Sequence, residues 1–126
     1  MTGKGKFDLK RAAARVNEEN RKETEREIAR RAEARQEGRR LAASLRQADP
    51  KIARIWGFGS AFEDSRSFRM DSDIDLAIEG GDIVTLYSIV LSSPFKVDLI
   101  DITGKADEFA ESIRERGIAL YRESQG

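Results

Sequence analysis

Large apolar side chains are spread so unevenly along this chain that only part of it can build a core. Through residue 50 the hydrophobic side chains larger than Ala are Met1, Phe7, Leu9, Val16, Ile28, Leu41 and Leu45. Trp56, both Tyr, five of the six Phe and most of the Ile and Val come later. Burial of apolar surface drives folding, so the core belongs to the second part and the first is an extension of it. Charge divides the same way. Residues 1–50 carry 14 Lys and Arg against 9 Asp and Glu, a net of +5, and the remainder carries 9 against 14, a net of −5. The totals of 23 and 23 balance, which excludes a uniformly basic nucleic-acid binder and a uniformly acidic tail. The sequence has no Cys and no His. Disulfides, thiolate metal sites and the commonest general base are therefore excluded, and any chemistry must run on carboxylates, hydroxyls, Lys, Arg or Tyr. No apolar run approaches the ~20 residues of a membrane span, and no signal-peptide core is evident. The expectation is a soluble, cytoplasmic protein of 126 residues with one folded domain.

The extension reads as helix from Asp8 to Gln47, rich in Ala, Glu, Arg and Lys. Opposite charges recur at helical spacing, as in Glu18 with Lys22 and Glu27 with Arg31. Sparse apolar positions favour a solvated, charge-laced helix over a coiled coil, with Gly38 as its weak point. Leu41 to Leu45 should pack on the domain, and Asp49-Pro50 ends the helix. The expected organisation is an extension over 1–40, dispensable for folding, and a domain over 41–126. An ordered extension would have a partner, most simply a second copy of the chain.

From Ile52 the pattern changes. Ile52 to Phe58 reads as a strand running into a Gly59-Ser60 turn, Asp73 to Ile78 as a second strand, and Phe95 to Ile102 as a third. Asp82 to Ser93 mixes strand-like and helical signals; the spacing of Ile83, Leu86, Tyr87, Val90 and Leu91 behind an Asp82 cap favours a helix. Ala106 to Arg116 is an amphipathic helix with Phe109, Ala110 and Ile113 inward, and Ile118 to Tyr121 makes a short edge strand. Alternation of strand and helix implies an α/β or α+β fold.

The chemistry sits in Asp73-Ile74-Asp75. Residues i and i+2 of a strand share a face, so both carboxylates project together while Ile74 and Leu76 enter the core. Asp98, between Val97 and Leu99, repeats the pattern of an acid among core residues. Neighbouring strands would bring all three carboxylates together. Such a cluster repels itself unless one acid stays protonated or a hard divalent ion is bound, and Mg²⁺ suits carboxylates with phosphates. A Gly-Ser turn lets backbone N–H groups approach a phosphate closely.

GFGSAFEDSRSFRMDSDIDLAIE followed by FKVDLIDI resembles the minimal nucleotidyltransferases (MNT) of the DNA polymerase β superfamily, over about residues 40–122. Their signature is a Gly-Ser turn, a linker, Ser-Asp-x-Asp on a strand and a third Asp on a later strand. The resemblance implies a small mixed β-sheet with helices packed on one face, a nucleoside triphosphate (ATP) as donor, and two Mg²⁺ ions. It implies that Gly59 and Ser60 hold the triphosphate and that Ser72 supports the metal strand. Asp73 and Asp75 would bind both metals, with Asp98 as third ligand and activator of the acceptor hydroxyl. The sequence departs from the pattern in Ala61-Phe62-Glu63-Asp64, where an acid replaces a usual Gly, and in a longer linker; Arg66 and Arg69 could restore positive charge. Family members of this size are commonly antitoxins that transfer AMP to a tyrosine of a HEPN toxin. Two other classes remain: a degenerate transferase acting as a stoichiometric protein-binding module, and, ranked last, nucleic-acid binding by the basic extension.

Overall fold

The computed structural model describes the backbone of residues 2–124 and the side chains of residues 13–124. Helix α1 (Thr2–Ala48) leads into strand β1 (Arg54–Phe58), a 3₁₀ turn (Gly59–Ala61) and strand β2 (Ile74–Glu79). Helix α2 (Ile83–Leu91), strand β3 (Val97–Asp101), helix α3 (Glu108–Arg116) and strand β4 (Ile118–Arg122) follow. The four strands form one mixed sheet in the order β3-β2-β1-β4. β1 is antiparallel to both β2 and β4, while β2 and β3 run parallel, as a connection through α2 allows. Asp82 caps α2 by accepting from the Val84 N–H at 3.1 Å, and Asp107 caps α3 by accepting from the Ala110 N–H at 2.8 Å. Among the described residues, no helix is long and apolar enough to cross a membrane.

Strand parity sorts the core into two layers. Ile55, Ile74, Leu76, Ile78, Val97 and Leu99 face α1 and α2, where they pack with Leu41, Leu45, Leu86 and Val90. Trp56, Ala77 and Ile102 face the other way, under Ala110 and Ile113 of α3. The class is α/β with a mixed sheet, as the sequence implies, but the helices occupy both faces of the sheet rather than one. The reason is local: Trp56, Ala77, Ile100 and Ile102 make half of the acid-bearing face apolar, and that half needs a cover. Phe109, expected inward, is 58% exposed. It stands in the first turn of α3 with its ring edge-on to Phe58, centroids 6.0 Å apart.

Helix α1 runs unbroken for 47 residues, about 70 Å at 1.5 Å per residue. Gly38 is not a weak point in it. The missing side chain makes room for the ring of buried Phe62: a Cβ at Gly38 would stand 2.5 Å from Phe62 Cζ. Gly57 of β1 leaves the opposite space, where a Cβ would meet Phe62 Cδ2 at 2.7 Å. Ala34 is fully buried, the Arg30 guanidinium lies 3.9 Å over the Phe95 ring, and Arg35 donates from Nε to the Ala61 carbonyl at 2.7 Å. The expected division at residue 40 thus lies within a stretch of α1, Arg30 to Leu45, whose side chains touch the domain.

Candidate active site

The register of β2 on β3 sets Asp75 directly opposite Asp98. Side chains directly opposite in a sheet share a face, so the two carboxylates project together on the α3 side, beyond the patch that α3 covers. Asp73 precedes β2 by one residue and forms an ion pair with Lys96 Nζ at 3.6 Å. Asp75 and Asp98 pair with no cation among the described residues. The consequence is electrostatic. Burial, then the neighbouring charges of Asp98 and Asp73, push the Asp75 carboxyl from its ordinary 3.8 up to about 6, against a smaller pull from Arg66. Among the described residues no three acids form a ready-made metal-ligand group. The donor set nevertheless suits a hard cation: two adjacent unpaired carboxylates, with a third two residues away on Asp75's own chain segment.

Gly59 brings the turn onto this pair. Its φ is +71°, in the region that favours glycine, and any Cβ there would collide with Asp75 Oδ2. Ser60 follows within the 3₁₀ turn. Phe62, clamped between Gly38 and Gly57, fixes the turn from below, and buried Phe68 ties the following loop to the core. Arg31 donates to the Arg66 carbonyl, and Arg35 pairs with Asp64 at 2.7 Å. Ser72 Oγ accepts from the Arg69 N–H at 2.9 Å, which braces the loop entering the acidic strand. Asp73, Asp75, Asp98, Gly59, Ser60 and Ser72 therefore lie at one end of the sheet, and the contact between Gly59 and Asp75 joins the turn to the acids.

A cavity of about 130 Å³ opens beside Asp75, lined by Phe58, Gly59, Glu63, Arg66, Phe109 and Arg116 among others. Two larger hollows of about 560 Å³ lie elsewhere, beside Arg54 and Arg122 and between Arg46 and Tyr121, and border neither Asp75 nor Asp98. Arg116, Phe109 and Glu63 were not singled out as site residues from the sequence. A signal for two of them exists: Phe109, Ile113 and Arg116 stand at i, i+4 and i+7 of one helix, so the face that carries Ile113 inward also carries the other two.

No family model matches the sequence, and no curated protein matches it. Solved structures do. A chain of a toxin–antitoxin complex crystallised with AMP-PNP superposes with a TM-score of 0.55 at 22% identity, over 69% of this chain and 75% of that one. The MntA–HepT toxin–antitoxin complex gives 0.51 at 21% identity, over 71% and 74%. The chain shares the fold of a chain of these toxin–antitoxin complexes. A complex of a tri-AMPylated Shewanella oneidensis HEPN toxin with its MNT antitoxin matches at 0.50 and 22% identity, over 71% and 74%. In a chain with this fold, the Gly59 turn and the Asp75–Asp98 pair occupy the end of the central strands opposite the one where Arg54 pairs with Glu79.

Proposed function

We propose that this chain is a Mg²⁺-dependent nucleotidyltransferase that moves AMP from ATP to an acceptor hydroxyl, acting as an antitoxin on a tyrosine of a HEPN-type toxin in the cytoplasm. The observation that carries the reading is the contact of the Gly59 turn with Asp75, across from Asp98. It sets a backbone suited to phosphate beside carboxylates suited to metal. The likeness to complexes with AMP-PNP and with an AMPylated HEPN toxin supports the donor and the acceptor. Bound by Asp73, Asp75 and Asp98, two Mg²⁺ ions would neutralise the triphosphate and the charge that develops on it. The Gly59 N–H and the Ser60 hydroxyl hold phosphate oxygens, and Ser72 keeps the acidic strand in register with the turn. The acceptor oxygen bonds to the α-phosphorus as the bond from that phosphorus to the bridging oxygen of the β-phosphate breaks. Pyrophosphate leaves, and the hydroxyl proton passes to Asp98.

Incubating the protein with α-labelled ATP, Mg²⁺ and a HEPN toxin tests this. Label should appear on the toxin with wild type and not with Asp75→Asn or Asp98→Asn. Unlabelled toxin in a stable complex with wild type would instead favour the stoichiometric binding module. One observation leans that way: the Gly59 N–H already donates to Glu63.

A further inference from the structure

Glu63 stands where its chemistry is least expected. Its carboxylate lies in the cavity beside Asp75 and is only 10% exposed. It is also among the negative charges that push the Asp75 carboxyl up. Burying a charge next to like charges is costly unless partners hold it. Two do. The Gly59 N–H donates to Glu63 Oε2 at 2.6 Å, and Arg66 Nε lies 3.7 Å from the same oxygen. A backbone N–H and a guanidinium are the groups that a phosphate oxygen would use. Arg116 borders the same cavity and pairs with no acid among the described residues. The cavity therefore brings two guanidinium groups together with two carboxylates, and of the carboxylates Glu63 is the one that holds the Gly59 N–H and Arg66.

We propose that Glu63 is an internal stand-in for a phosphate group. In the free protein it holds the Gly59 N–H and Arg66, and the nucleotide binds by displacing it, its triphosphate then lying between Arg66 and Arg116. The inference rests on the nucleotidyltransferase reading and adds a regulatory contact to that site: affinity is set by an exchange of anions rather than by filling an open seat. Displacement also takes a negative charge away from Asp75. A mere cap on the turn would have no such effect on nucleotide binding.

The test is calorimetric titration of the full chain with AMP-PNP and MgCl₂. Glu63→Gln keeps an acceptor for the turn but removes the charge. Glu63→Asp keeps the charge but is one methylene too short to hold the Gly59 N–H. Both should bind more tightly than wild type, Glu63→Gln by about tenfold, because a neutral amide holds the Gly59 N–H and Arg66 more weakly than a carboxylate does. Arg116→Ala should bind about tenfold more weakly with unchanged melting. Wild-type affinity in both Glu63 variants would overturn the exchange while leaving the nucleotide site intact. A gain in Glu63→Gln alone would make the effect one of charge only and also overturn it. Binding in no variant and not in wild type would overturn the nucleotide reading and the exchange together.

Discussion

Replacing Asp75 by Asn should make the metal-free protein more stable, although it removes a residue central to the proposed chemistry. Folding raises the Asp75 pKa from 3.8 to about 6, chiefly by burial and then by Asp98 and Asp73. Between those values the folded protein keeps a proton that the unfolded chain has released. Stability is therefore undiminished below pH 3.8 and falls as pH rises to about 6. Two units at ~1.4 kcal/mol each amount to about 3 kcal/mol, an upper figure for the destabilisation carried at neutral pH. Asn cannot ionise, so Asp75→Asn removes that cost. Urea unfolding in EDTA, followed by fluorescence of the buried Trp56, should show the variant's midpoint about 1–2 M higher at pH 7.5. At pH 4 the two proteins should nearly coincide. Equal stability at pH 7.5, or a gain that persists undiminished at pH 4, would refute the argument that charge crowding at Asp75 strains the site.

Glu79 should act in the opposite sense. Burial opposes its ionisation, but bonds from Arg114 and Trp56 outweigh this and hold its pKa below the usual value, so its contribution is lost as pH falls through the acid range; Arg114→Ala should cost about 2 kcal/mol at neutral pH and much less near pH 3. Lys96→Met should tighten Mg²⁺ binding, because it frees Asp73 from a competing cation; the exposed pair limits the gain to about 1 kcal/mol, readable by titration calorimetry. Gly38→Val should drive Phe62 from its place and lower stability by about 1–3 kcal/mol in thermal melts, while weakening AMP-PNP binding through the displaced turn. Deleting residues 1–26 should leave the melting temperature almost unchanged, whereas deleting 1–40 should lower it by several degrees; equal behaviour of the two truncations would place the whole of 1–40 outside the fold.

Periodicity and caps made the elements legible: the change of pattern at Ile52, the Asp82 cap of α2, and the parity that sends Asp73 and Asp75 to one face while Ile74 and Leu76 go to the other. Asp98 was legible for the same reason, as a lone acid between Val97 and Leu99. What sequence pattern does not carry is which faces meet. Leu41 and Leu45 were legible as apolar, but ahead of them the contact of α1 with the domain is made by Ala34, Gly38 and arginine side chains reaching backbone carbonyls, and neither small residues nor arginines leave an apolar stripe to read. Phe109 lies outside the buried face that helical spacing assigns it, because spacing groups residues by face without saying where the covered patch ends. Glu63 read as a departure from a motif, since its bond to the Gly59 N–H depends on a turn conformation that spacing alone cannot supply.

The ring of Phe62, held between two glycines, has a consequence for how the molecule comes apart. The four-stranded sheet is tied by many ladder hydrogen bonds, whereas the turn rests on this ring, on Phe68 and on a few bonds from α1. Elements with few buried contacts open at lower free energy than the global transition. Warming should therefore release the turn from the sheet first, and amide exchange at Phe62 and Glu63, whose N–H groups bond the Gly59 carbonyl at 3.1 and 2.9 Å, should outrun exchange in β1 and β2. A molecule in that partly opened state keeps its sheet and its acids but has no seat for phosphate. Loss of ligand binding would then precede loss of fold on the temperature axis, by an interval that the packing of one aromatic ring sets.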